Sequence, residues 1–277
     1  ALTSNSGPKI ETLYVTNNGR SKIEELADLS SFNLVEVSNE VMKEMSETMT
    51  PQGILAVCTI PQVSLNSLQL NGSRRFIYLS EVQDPGNAGT ILRSADAFAM
   101  DAVITSPGSV DMYSPKVVRS TAGSLWHIPV FQSLTIEAVL ASGINAFSLG
   151  AKGSKSLSQY QMSGDVLAVF GNEARGFSTG QNVDSIAIVS IPMPGNAESL
   201  NLSAAASILA CSRVRMTSAS MSGPPPRRQS AQRVLHPRHG VGGAHFQGHH
   251  VVHETLHGVV EAAVTLDVAQ PLPWRCH

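Results

Sequence analysis

Five short, mostly apolar runs narrow the fold of this chain more than any other feature: Phe76–Val82, Ala102–Thr105, Ile144–Leu149, Val166–Phe170 and Ile186–Ile191. Each is too short for a buried helix and lacks the strict in-out alternation of a strand with one wet face, so each reads as a strand covered on both sides. Helical patterns fall between them. Asp84-Pro85-Gly86 reads as a turn, Asn87 as the N-cap of a helix from Ala88 to about Met100, and Thr135 to Ala141 as a second helix. Glu198 to about Arg213 closes the series as an Ala-rich helix. Strands alternating with helices predict an α/β domain with a parallel sheet and helices on both faces.

The flanking sequence differs in kind. Residues 1–60 alternate strand patterns (Thr12–Val15, Leu34–Val37, Gly53–Thr59) with helical ones (Ser21–Leu29, Asn39–Met45), which predicts a second, small α/β domain. Residues 61–73 are rich in Ser, Asn and Gln and read as a linker to the main domain at 74–216. Past Met216 the composition breaks: residues 217–277 contain no Lys, Asn, Ile or Tyr and hold eight of the nine histidines. The expectation is a disordered His/Pro/Gly-rich tail, or one read in a shifted frame.

Composition bounds the partners. No apolar run reaches the roughly 20 residues needed to cross a bilayer, so no membrane association is expected. Three scattered cysteines, Cys58, Cys211 and Cys276, suit a reducing compartment. That implies the cytoplasm, or a mitochondrion or plastid if a targeting segment precedes Ala1. Residues 1–216 hold 14 Lys and Arg against 18 Asp and Glu, a balance of −4 that argues against a generally basic nucleic-acid surface. Contacts to RNA would have to come from local clusters such as Arg74-Arg75, Arg93, Arg119 and Arg175.

Three segments sit where a predicted strand gives way to a turn or helix. They are Asn87-Ala88-Gly89-Thr90-Ile91-Leu92-Arg93, Phe170-Gly171-Asn172-Glu173-Ala174-Arg175-Gly176, and Ile191 to Ser203 with Glu198, Ser199, Leu200 and Asn201. Ligands of open α/β sheets bind at the carboxyl ends of the strands. Singly, each segment could be a cap or a Gly-rich turn; together they point to one composite site. In the tail, His253-Glu254-Thr255-Leu256-His257 would put two imidazoles on one face of a helix, and His245 and His249 would extend the stripe. A segment of about 60 residues with a Pro-rich entry has little core to hold a protease cleft, and no Gly-x-x-His follows, so no metal site is assigned.

The wording and spacing of the three segments, from about Arg74 to Cys211, closely resemble the signature motifs of the SpoU (TrmH-like) branch of the SPOUT RNA methyltransferases. Residues 38–59, including Thr50 to Val57, are similar to the end of the substrate-binding domain of the ribosomal-RNA members, here shortened. The resemblance implies methyl transfer from S-adenosylmethionine to a ribose 2′-hydroxyl of RNA, most simply ribosomal. A transfer-RNA methyltransferase and a non-catalytic RNA-binding protein of the same fold are the alternatives. It implies a C-terminal deep trefoil knot from about Val166 to Arg213 and a homodimer with shared active sites. By motif position, Leu149, Gly171, Ile191 and Leu200 would hold the cofactor. Arg93 and Asn87 would stand beside the ribose, with Glu173, Ser199 and Asn201 completing the polar ring.

Overall fold

The computed structural model describes residues 8–25, 28–48, 50–61, 63, 70, 72–151, 153–177, 186–220, 245–256 and 259–269, with side chains described as far as residue 212. The N-terminal unit runs β1 (Lys9–Val15), α1 (Asn17–Glu24), β2 (Leu34–Glu36), α2 (Asn39–Met45) and β3 (Ile54–Thr59). Both helices begin where a hydroxyl can satisfy a free amide. Thr16 accepts from Gly19 N, and Ser38 accepts from Val41 N. β1 lies between β2, parallel to it, and β3, antiparallel, and the α/β reading of this unit holds.

The main unit continues with β4 (Arg75–Leu79), α3 (Pro85–Ala97), β5 (Ala102–Thr105), α4 (Pro115–Thr121), β6 (Val130–Phe131), α5 (Ile136–Leu140), β7 (Asn145–Leu149), β8 (Lys155–Ser156), β9 (Val166–Phe170), β10 (Ala187–Ser190) and α6 (Leu202–Ser220). Its sheet has the order β6-β5-β4-β9-β7-β10-β8, and every pairing in it is parallel. Side-chain alternation along these strands feeds two apolar layers. Ile77, Leu79, Val103, Ala168 and Phe170 pack with Ala88, Ile91, Leu92 and Ala95 of α3 and Ala206, Leu209 and Ala210 of α6. Phe76, Tyr78, Ile104, Leu167 and Val169 pack on the other side with Ile136 and Val139 of α5. Helices therefore cover both faces, and all five sequence-predicted strands are present.

Several helix boundaries depart from expectation: α1 runs Asn17–Glu24 rather than Ser21–Leu29 because Thr16 caps it, and the starts of α3 and α6 are set by caps of their own. α3 begins at Pro85, not Ala88, because Asp84 is the N-cap and accepts from Asn87 N at 2.6 Å. Proline suits the first helical position, where no amide partner is needed. α6 begins at Leu202 rather than Glu198, since the Asn201 side-chain oxygen accepts from Ser203 N at 2.9 Å and Ala204 N at 3.4 Å. Within the tail, β11 (His245–Leu256) and β12 (Val259–Ala269) pair antiparallel, and β12 pairs with β3. The Val-rich stretch from Val259 to Ala269 has the composition of a strand. His253 and Glu254 thus lie on a strand, not a helix, while His257 lies outside the described residues.

Burial makes the fold sensitive to alkali. It pushes the Cys58 thiol up from 9.0 to about 12 and the Tyr113 phenol up from 10.0 to about 12. Both raised values favour the neutral form in the folded state, so their contribution is complete below pH 9 and is lost as pH rises through the folded values near 12. The urea midpoint is expected to fall steadily above pH 9, and Cys58→Ala to flatten the first part of that decline; a midpoint independent of pH from 8 to 11 would contradict it.

Candidate active site

The carboxyl ends of β4, β9, β7 and β10 face one opening, and the three motif segments meet there. Correcting the cap of α3 changes the part played by Asn87. With Asp84 as N-cap, Asn87 sits in the first turn of the helix and its amide is free to reach outward. Asn201 Nδ2 donates to Asn87 Oδ1 at 3.1 Å, and Asn87 Nδ2 donates to Glu173 Oε1 at 3.3 Å. The direction of this chain is set at its far end. Asn201 Oδ1 already accepts from two backbone amides and from Ser203 Oγ at 2.6 Å, which leaves its NH2 group to face Asn87. The Asn87 oxygen must then face Asn201 and its NH2 must face the carboxylate. Glu173 also lies against the start of α3, accepting from Asp84 N at 3.4 Å, where backbone dipoles favour negative charge.

Behind this rim is a cavity of about 440 Å³. Leu149, Gly171, Ile191 and Leu200 all line it, as do Asn87, Glu173, Ser199 and Asn201. Ser199 is exposed and has no hydrogen-bonding partner among the described residues; Asn201, not Ser199, caps α6. Phe170, Phe177, Met193, Glu198 and Ala205 complete much of the wall, and the sequence assigns none of them a site role. Glu198 and Met193 lie inside the third motif, so the motif was the signal for them; Phe177 follows Gly176 and carried none. Among the described residues, the lining contains two carboxylates, Glu173 and Glu198, and no Lys or Arg.

Gly171 is where the cavity wall depends on a missing side chain. A Cβ there would stand 2.0 Å from Phe177 N and 2.1 Å from Gly176 C, both backbone atoms. Gly89 serves the helix layer in the same way, since its Cβ would stand 1.7 Å from Ser120 Oγ of α4.

Arg93 is not brought to this cavity. It is exposed, and among the described residues it has no hydrogen-bond or ion-pair partner. Six residues at about 100° each place it roughly 120° around α3 from Asn87, which explains the separation. The other expected RNA-contacting arginines are largely committed elsewhere. Arg74 pairs with Asp101 at 2.6 Å, Arg75 donates to Gly164 O at 2.6 Å and Met162 O at 2.7 Å, and Arg175 pairs with Glu81. Of that set only Arg93 and Arg119 have no side-chain partner among the described residues.

Residues 74–211 match the SpoU rRNA Methylase family, and residues 1–64 match the RNA 2′-O ribose methyltransferase substrate binding family. The chain is 32% identical over 176 residues to the 23S rRNA (guanosine(2553)-2′-O)-methyltransferase RlmP of Bacillus subtilis, spanning 62% of this chain and 69% of that protein. The chain belongs to the SpoU rRNA methylase family. A further relative, human mitochondrial rRNA methyltransferase 3, is 34% identical over 115 residues, 40% of this chain and 27% of its own length. Among solved structures, the SpoU methyltransferase AviRb from Streptomyces viridochromogenes in complex with the cofactor AdoMet superposes with a TM-score of 0.67 at 25% identity, covering 77% of this chain and 85% of that one. Among the described residues, no helix of this SpoU protein is long and apolar enough to cross a membrane, and no group of three or more His, Cys, Asp or Glu side chains could hold a metal ion.

Proposed function

We propose that this SpoU protein is an S-adenosylmethionine-dependent methyltransferase that modifies a ribose 2′-hydroxyl of ribosomal RNA, with its active site at the rim formed by Asn87, Glu173, Ser199 and Asn201. The observation that carries the reading is the directed chain Asn201–Asn87–Glu173 at the mouth of a cavity lined by both apolar and polar side chains, joining three motifs far apart in sequence. The cavity suits the cofactor chemically. Leu149, Ile191 and Leu200 offer aliphatic surface to a nucleoside, Gly171 keeps backbone accessible, and the carboxylates of Glu173 and Glu198, with no Lys or Arg among the described lining residues, complement a positive sulfur centre.

S-adenosylmethionine supplies, when bound, a methyl group on a sulfonium that can pass directly to a hydroxyl oxygen. The residues must therefore bring that oxygen into line and stabilise it as its proton leaves. Asn87 and Asn201 form a rigid polar edge against which a ribose can register, and Glu173 fixes the charge at its end. A guanidinium, with a pKa above about 12, is a poor base, so Arg93 acts as a clamp on the hydroxyl and the adjoining phosphate. Since Arg93 stands apart from the cavity of its own chain, the reading includes a homodimer in which one copy presents Arg93 to the other's rim. Exposed Ile208, 42% accessible, gives the outer face of α6 apolar surface for such a contact. The reading also includes a trefoil knot. In support, β10 is inserted between β7 and β8, and a Cβ on Gly153 would stand 2.5 Å from Ser190 N, so the two segments approach closely.

The test is transfer of labelled methyl from S-adenosylmethionine by the full chain. Incorporation into ribosomal but not transfer RNA, with the modified linkage resistant to alkaline hydrolysis, is the expected result. Failure to bind S-adenosylmethionine in calorimetry would sink the assignment.

A further inference from the structure

We propose that Glu81 is a positioning residue that latches the Asn172–Gly176 turn, and Glu173 with it, in place at the rim. The role at the rim rests on the methyltransferase reading. Glu81 follows β4 with φ of 51°, left-handed backbone that a non-glycine residue adopts at a cost. Its surroundings hold it there. Its N–H donates to Ser106 Oγ at 2.8 Å, from the end of β5. Its carbonyl accepts from Asn172 Nδ2 at 2.8 Å, and its carboxylate pairs with Arg175.

These two grips fall on opposite ends of one turn. Asn172 Oδ1 accepts from Ala174 N at 2.9 Å and Arg175 N at 3.2 Å, and Asn172 O accepts from Gly176 N at 2.8 Å. Glu173 stands between the gripped residues and reaches the other way, to Asn87 Nδ2 at 3.3 Å. The turn is exposed from Glu173 through Gly176 and has no apolar packing of its own to fix it. The Arg175–Glu81 pair is itself 71% and 50% exposed, so its weight in global stability is small. Its effect is instead on where the turn sits. A glycine at 81 would adopt φ of 51° freely; the glutamate in its place supplies the carboxylate that fastens Arg175.

The experiment compares the full chain with Glu81→Lys, which sets two cations against each other, and with Glu81→Lys combined with Arg175→Glu, which restores the pair in reverse. Three readouts are taken: hydrogen exchange at the amides of Ala174, Arg175 and Gly176, S-adenosylmethionine affinity, and kcat and KM for RNA. The single variant is expected to exchange up to about fivefold faster at these amides, the upper end for loss of an exposed pair. Cofactor affinity and kcat should fall by a similar factor, with Tm and KM for RNA unchanged, and the reversed pair should recover both. Exchange and kcat at the level of the original protein in Glu81→Lys, or no recovery on reversal, would overturn the latch. Faster exchange with unaltered cofactor affinity would overturn the positioning role. If exchange responds as stated but the original protein transfers no methyl, the methyltransferase reading falls and the latch on the turn stands.

Discussion

Gly171→Ala is expected to lose S-adenosylmethionine binding altogether and to melt several degrees below the original protein, although it adds one methyl group. The added carbon would stand 2.0 Å from Phe177 N, 2.1 Å from Gly176 C and 2.4 Å from Gly176 O. Reaching an ordinary contact of 3.4 Å requires a shift of 3.4 − 2.0, about 1.4 Å. No side chain can rotate to supply it, since every near atom is backbone, so either the end of β9 or the returning segment must move. Overpacking of this kind costs typically 1–3 kcal/mol, which for a domain of this size lowers Tm by roughly 2–4 °C per kcal/mol. The larger loss is functional. Gly171 lines the cavity, and the displaced segment carries Glu173, whose bond to Asn87 at 3.3 Å has no slack. Gly195→Ala is the control from the third motif, because a Cβ there meets nothing within 4 Å. Native cofactor affinity in Gly171→Ala would show that the cavity does not depend on this backbone approach.

The parts of this fold that could be read in the sequence are those with a local cause. Val166–Phe170 is five buried apolar residues in a row, and the strand has those bounds; the helical pattern Asn39–Met45 also matches α2, whose start the Ser38 hydroxyl fixes. β6 and β8 are two residues long and carry no periodicity to detect. The start of α3 was misread because Asp84-Pro85 has the chemistry of a turn and of an N-cap followed by a helical proline, and only the course of the chain decides between them. For the site, the sequence could mark the three motifs but not their joinery. Asn87 and Glu173 are 86 positions apart and Asn87 and Asn201 are 114 apart, so which amide faces which carboxylate is a property of the strand order. Arg74 and Arg75 show the same limit from the other side. An adjacent basic pair reads as an RNA contact, yet the partners that occupy it, Asp101, Met162 and Gly164, lie 26 or more positions away.

Arg93→Ala is expected to keep the stability of the original protein within about 0.5 kcal/mol, because an exposed helical position with no side-chain partner among the described residues has little to lose. Methyl transfer should nevertheless fall by about 10²–10³, the loss typical of removing one preorganised donor from developing negative charge. Arg93→Lys should recover only part of this, since an ammonium cannot hold a hydroxyl and a phosphate in one planar fork. The separation of Arg93 from its own cavity adds a sharper outcome. If the clamp acts across two copies, mixing Arg93→Ala with Gly171→Ala rebuilds one intact site in each mixed dimer, with Arg93 from one chain and the cavity from the other. Activity should then rise from near zero in either variant to roughly a quarter of the original, provided the Gly171→Ala chain still folds and random pairing makes half of the dimers mixed. A Gly171→Ala chain too unstable to pair can be replaced in the mixture by Glu173→Ala, which leaves the backbone approach intact. No recovery with the second partner would mean that Arg93 and the cavity must belong to one chain, and the dimeric arrangement would have to be abandoned even if the single-variant loss is as large as expected.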